Sequence, residues 1–258
     1  MKKKISSITF YGFLVLATFG FRSLLFAQHL AGTEGTIEPR YLIDKPTAGL
    51  MKRGSFGIGV DFFQQGGVLM MLNAGVMDRL HFGISYGGND IIGSNVVEWN
   101  KSPGVNVKFR LFDEEGSFPA VALGFDSQGK ENYKDSLERY NVKSLGFYAV
   151  GSKNIEFLGF LSTHLGINRS LENRDDKDLN IFFGVEKTVG ADMSILAECD
   201  LAYNDDINSN DNRKYNLGMR WSIGDGVLLG ANLKSITWNN KTFTIGNRTI
   251  LVEYVKIF

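Results

Sequence analysis

From Gly54 to the C-terminus, apolar residues return at every second position. Tyr215, Leu217, Met219 and Trp221 alternate with Asn216, Gly218, Arg220 and Ser222, and Val105, Val107, Phe109 and Leu111 alternate with Asn106, Lys108, Arg110 and Phe112. Leu80, Phe82, Ile84 and Tyr86 repeat the pattern against His81, Gly83, Ser85 and Gly87. Side chains two apart share a face of an extended chain, so each run is a strand with one apolar face and one face of glycine, amides and charges. About 12 such strands follow one another, starting near Gly54, Gly67, Arg79, Gly104, Phe118, Asn141, Phe157, Leu179, Met193, Lys214, Val227 and Asn247. Most approach the ~9–11 residues that a tilted strand needs to cross a bilayer. No apolar run of helical period interrupts them.

The connections alternate in length. Met77-Asp78, Asp113-Glu114-Glu115-Gly116, Ser152-Lys153-Asn154, Val189-Gly190-Ala191 and Gly224-Asp225-Gly226 read as short turns. Gly88 to Pro103, Ser127 to Arg139, Arg169 to Asp178, Asn204 to Arg213 and Ser235 to Gly246 read as long polar connections, Gln64-Gln65-Gly66 being the short exception. Transmembrane barrels pair short periplasmic turns with long extracellular loops in this way. A soluble secreted sandwich also has alternating strands, but gives no reason for alternating loops. Two further features favour the barrel. Met1-Lys2-Lys3-Lys4, an apolar stretch from Ile5 to Phe21 and a small residue at Ala27 read as a signal peptide, with an uncleaved anchor helix as the alternative. The final strand, Ile250 to Phe258, resembles the aromatic-terminated last strand of Gram-negative outer-membrane barrels; Lys256, on its apolar parity, departs from that pattern. The expectation is an all-β, antiparallel transmembrane β-barrel of about 12 strands, with residues 1–27 a signal peptide, 28–53 a periplasmic N-terminal segment and 54–258 the barrel. The chain is placed in the outer membrane.

The polar parity then faces a lumen, where function would reside. Lys108, Arg110, Glu186, Glu198, Asp200, Arg220 and Lys234 are the candidate lumen or pore-lining charges, alongside Asp61, Asn73, His81, Asn106, His164, Asn216, Asn232 and Glu253. Lys108 and Arg110 lie two apart on one strand and Glu198 and Asp200 two apart on another, giving a basic and an acidic wall. Two outcomes stay open: a narrow channel for small polar or saccharide solutes, or a barrel plugged by its own ion pairs. Equal numbers of basic and acidic residues, 28 each, argue against a nucleic-acid partner. The single cysteine, Cys199, excludes an internal disulfide. No catalytic residue is assigned. Ser85 lies more than ~13 Å from His81 along its strand, and Ser162 lies ~7 Å from His164 at i, i+2, too far for direct proton transfer. Asp175-Asp176-x-Asp178 and Asp205-Asp206 through Asp211 are acidic loop clusters without the glycine and bidentate glutamate of a calcium loop. No metal or cofactor is expected.

Tyr41-Leu42-Ile43-Asp44-Lys45-Pro46-Thr47-Ala48-Gly49-Leu50, followed by Gly54-Ser55-Phe56, is similar to the opening of the YjbH-like outer-membrane barrels. Phe82 to Gly88 and Pro119 to Asp126 also resemble that group. The resemblance covers the first third of the mature chain. It implies a non-catalytic barrel tied to exopolysaccharide production or export, and leaves a closed structural or accessory barrel as the alternative to the channel. The Pro46 segment then sits before the first strand as a periplasmic plug, strap or docking peptide. Expected partners are outer-membrane lipid and lipopolysaccharide, the barrel-assembly machinery through the strand ending in Phe258, and a polysaccharide.

Overall fold

The computed structural model describes residues 38–172, 178–205, 213–239 and 242–258. The expected signal peptide and most of the two acidic loop clusters lie outside the described residues. The strands are β1 (Ser55–Phe63), β2 (Gly67–Met77), β3 (Leu80–Asn89), β4 (Glu98–Trp99), β5 (Gly104–Phe112), β6 (Ala120–Asp126), β7 (Lys130–Lys134) and β8 (Arg139–Val142). They continue with β9 (Gly146–Glu156), β10 (Phe160–Arg169), β11 (Asn180–Val189), β12 (Met193–Asp200), β13 (Lys214–Gly224), β14 (Val227–Asn239) and β15 (Thr242–Ile257). Every pairing is antiparallel. Setting aside the two-residue β4 and the separate β7–β8 hairpin, twelve strands form one sheet in which β1 pairs with both β2 and β15, and β2 also with β3, so the sheet closes on itself. Closure leaves no strand edge unpaired.

The parity of the sequence becomes the inside and outside of this barrel. Phe82, Ile84, Phe147, Leu165, Ile195 and Leu217 project outward and are exposed, Leu165 by 62%. A soluble surface does not carry so continuous an apolar belt; a lipid-facing one requires it. At the end bearing the short turns, Phe56, Tyr254 and Phe258 cluster on the outside, with Phe56 and Phe258 stacked 5.1 Å apart. Lys256 is exposed beside them, where its stem can lie along apolar surface while the ammonium reaches polar medium.

Two connections differ from expectation. Ser152-Lys153-Asn154 is no turn: it lies inside β9, and the chain reverses at Phe157-Leu158-Gly159, where Leu158 and Gly159 take positive φ. Ser152 and Asn154 are polar because they face inward, and Lys153 donates to Glu114 Oε1 at 2.7 Å. The Asn141 start consequently moves to Gly146. Within the expected Ser235 to Gly246 loop, Ser235 to Asn239 and Thr242 to Gly246 are likewise strand, with Ile236 paired to Ile245 and Thr237 to Thr244. The Asp225-Gly226 turn behaves as read: both residues have positive φ between Gly224 and Val227, as a two-residue reversal matching strand twist demands.

Candidate lumen site

The lumen is filled by the segment preceding β1. Residues 40–47 form a tight hairpin: Tyr41 bridges Pro46, the Leu42 N–H donates to Lys45 O at 2.8 Å and the Thr47 N–H to Arg40 O at 3.1 Å. Both arms return to the short-turn end, where Lys52 to Gly54 are exposed. Folding the chain over at Leu42–Lys45 leaves the N–H groups of Ile43, Asp44 and Lys45 pointing the same way. Such a run of amides is a concavity for an anion. Glu198 supplies it: its Oε2 accepts all three, at 3.0, 2.9 and 2.8 Å.

The opposite wall binds the hairpin's carbonyls. Lys108 Nζ donates to Arg40 O at 2.7 Å, Thr47 O at 3.0 Å and Gly49 O at 3.2 Å. Arg110 donates to Ala48 O and pairs with Glu38. From β13, Arg220 donates to the carbonyls of Tyr41 and Leu42 while its other nitrogen pairs with Glu186 at 3.1 Å. Glu186 also accepts from Ser194 at 2.5 Å. Ion pairs fix the hairpin's own charges: Lys45 with Asp200 at 2.6 Å, Asp44 with Lys234 at 2.9 Å, and Arg40 with Glu253. All seven charges singled out from the sequence face inward. They do not chiefly pair with one another; Arg220 with Glu186 is the contact within the set, and the rest meet the hairpin or a loop.

Apolar contacts seat it further. Leu42 and Ile43 pack with Leu196, and Ala48 packs with Ala120, Ala122, Tyr148, Val150 and Phe182 beside Tyr41. The wall makes room with glycine. A Cβ at Gly184 would collide with Leu42 Cδ1, and one at Gly218 would stand 3.1 Å from Ile43 Cδ1.

At the long-loop end, β7 and β8 fold back over the barrel instead of leaving it as an open loop. Glu131 of β7 reaches Lys234 at 3.0 Å, so one ammonium joins this strand pair to Asp44 of the hairpin. Lys130 lies 5.6 Å from the Tyr41 ring centroid. A cavity of about 60 Å³ lies beside the hairpin, bordered by Arg40, Tyr41, Asp61, Asn73, Asn232 and Glu253. It holds no more than a few waters.

One pairing could not be read along the chain. Ser152 on β9 stands opposite His164 on β10, with Oγ 2.8 Å from Nδ1. The same Oγ accepts the Ala48 N–H at 2.8 Å, and His164 Nε2 has no partner among the described residues. A relay needs a third group orienting the ring; here the pair is another seat for the hairpin.

No protein-family model matches the chain, and no curated protein matches it by sequence. Solved structures do match by shape. The KdgM porin superposes with a TM-score of 0.50 at 11% identity, covering 78% of this chain and 98% of its own. The outer-membrane protein Omp33 of Acinetobacter baumannii gives a TM-score of 0.44 at 8% identity, over 79% and 97%. The KdgM likeness bears on the fold alone: a closed, antiparallel barrel of twelve strands.

Proposed function

We propose that the chain is an outer-membrane channel for small polar or saccharide solutes, held closed here by its own residues 38–51. The observation that supports a channel is the way the lumen is filled. A purely structural barrel closes by packing wall side chains against each other. In this barrel the charges of β5, β12, β14 and β15 bind a separable hairpin instead, and wall glycines are hollowed to admit it. Withdrawing the hairpin leaves a lumen with Lys108 and Arg110 on one side and Glu198 and Asp200 on the other. The barrel whose shape this chain shares, KdgM, is a porin, in keeping with a barrel of this shape admitting polar solutes. The second reading, a closed accessory barrel of the kind the YjbH-like resemblance implies, is favoured by the completeness of the plug.

Planar-bilayer conductance separates them. The full chain, given a specific protease site in the exposed Lys52–Gly54 link, is folded and then cleaved. Low or intermittent current before cleavage, and steady conductance once the hairpin is washed out, is the channel result. A barrel that remains heat-modifiable, has lost the hairpin by mass spectrometry and passes no current is the accessory barrel.

A further inference from the structure

The contacts that hold the hairpin are read mostly from its backbone. Six of its carbonyls, those of Arg40, Tyr41, Leu42, Thr47, Ala48 and Gly49, accept from Lys108, Arg110 and Arg220. Four of its N–H groups, those of Ile43, Asp44, Lys45 and Ala48, donate to Glu198 and Ser152. Five wall side chains thus satisfy ten backbone groups. Each wall group is matched in sign to the peptide unit it meets: cations to carbonyls, a carboxylate to amides. A sugar chain offers hydroxyls that both donate and accept; it presents neither a row of carbonyl acceptors nor three convergent N–H donors. Side-chain contacts are fewer: Glu38 pairs with Arg110, Arg40 with Glu253, Tyr41 Oη donates to Asp126 at 2.8 Å, and at the turn an acid–base pair, Asp44-Lys45, faces Lys234 and Asp200.

We propose that the lumen is a peptide-backbone binding site, that residues 38–51 are its intramolecular occupant, and that the solutes admitted when they leave are short peptides. Naming peptides as the solute class rests on the channel reading; the binding site itself does not. Peptides that form a tight turn carrying adjacent acidic and basic residues fit it best. The built-in hairpin competes at the high effective concentration of a tethered ligand, so the site is filled until the tether is cut or the hairpin is drawn out from the short-turn end.

The test uses the full chain folded with the cleavable link, so that the barrel forms around its own hairpin. After cleavage, a fluorescent synthetic peptide of residues 38–51 is added in detergent and its anisotropy followed, a readout that needs no current. Saturable exchange at one peptide per barrel, with at least about a tenfold loss of affinity when the peptide is N-methylated at Asp44, supports the proposal; the methyl removes one charge-assisted donor to Glu198 and leaves the barrel untouched. Glu198→Gln in the barrel is expected to weaken the unmethylated peptide in the same direction. A folded, emptied barrel that does not rebind the peptide overturns the proposal. Equal affinity for the methylated peptide, or displacement of the hairpin by an acidic oligosaccharide of matched length as effectively as by peptide, also overturns it. Peptide binding without conductance would remove the channel reading and leave the site standing; conductance without peptide binding would do the reverse.

Discussion

Lys108 and Glu198 carry the problem that any opening must solve. Each is almost wholly buried, and each is satisfied by backbone dipoles of the hairpin. Left dry and unpartnered, either charge would cost several kcal/mol. The hairpin therefore leaves only as water enters, and the opened lumen is wet rather than collapsed. A simpler test of buried charge sits at the long-loop end, outside the strands. Asp205 pairs with Arg139 at 2.7 Å and with Lys214 at 2.9 Å. Burial raises its carboxyl, but the Arg139 hydrogen bonds and the Lys214 charge outweigh burial and hold it below the usual carboxylate range. A depressed carboxyl stabilises the fold above its unfolded value, ~3.9, and loses that contribution as pH falls through the folded one. Asp205→Asn is expected to cost about 1.5–3 kcal/mol at pH 7. The gap between the urea midpoints of the two proteins should narrow below about pH 4. A gap that is constant with pH would show that the Asp205 charge is not what stabilises this corner.

Among the elements, the hairpin and the β7–β8 pair enter the barrel from opposite ends and meet at Lys234, between Asp44 and Glu131. Lys234→Met leaves two carboxylates facing each other without their shared cation. Hydrogen exchange should rise together over residues 38–51 and 130–142 while the β9–β12 amides keep their protection. A rise in one segment alone would mean that the two closures are independent. The strands that carry these elements were largely legible, because a period of two is a local property that any few residues express. The turn at Phe157–Gly159 was not, because inward-facing Ser152 and Asn154 look like turn residues when the facing strand is unknown. The inward set of charges could be read from parity alone. Their partners could not: Glu198 meets Ile43 across 155 positions and Arg220 meets Tyr41 across 179, separations set by closure and register. The Pro46 segment was readable as a periplasmic plug, strap or docking peptide from its place before the first strand, but a hairpin without strand period gives no sign of which surface will cover it.

At the scale of the whole molecule, the barrel separates charge across its width. β5 and β12 stand five ladder steps apart in a ring of twelve, almost opposite, so Lys108 and Arg110 face Glu198 and Asp200 across the hairpin. A net charge of zero thus conceals two facing walls of opposite sign, of which Asp200 and Arg110 now pair with Lys45 and Glu38 of the plug. Reversing one wall should act twice. Lys108→Glu/Arg110→Glu removes the donors to four hairpin carbonyls and sets carboxylates against Glu38 and those carbonyls, so the hairpin is expelled and conductance appears without cleavage. The same change converts a bipolar lumen into an acidic one, and the reversal potential in a potassium chloride gradient should move towards the potassium value. The shift should be largest near 0.1 M salt or below, where the screening length is ~10 Å, comparable with the lumen, and shrink towards 1 M, where it is ~3 Å. Lys108→Met/Arg110→Met supplies the comparison: it loses the same donors and opens, with a smaller shift. If both variants conduct with the same selectivity at low salt, Lys108 and Arg110 hold the plug but do not line the path that solutes take.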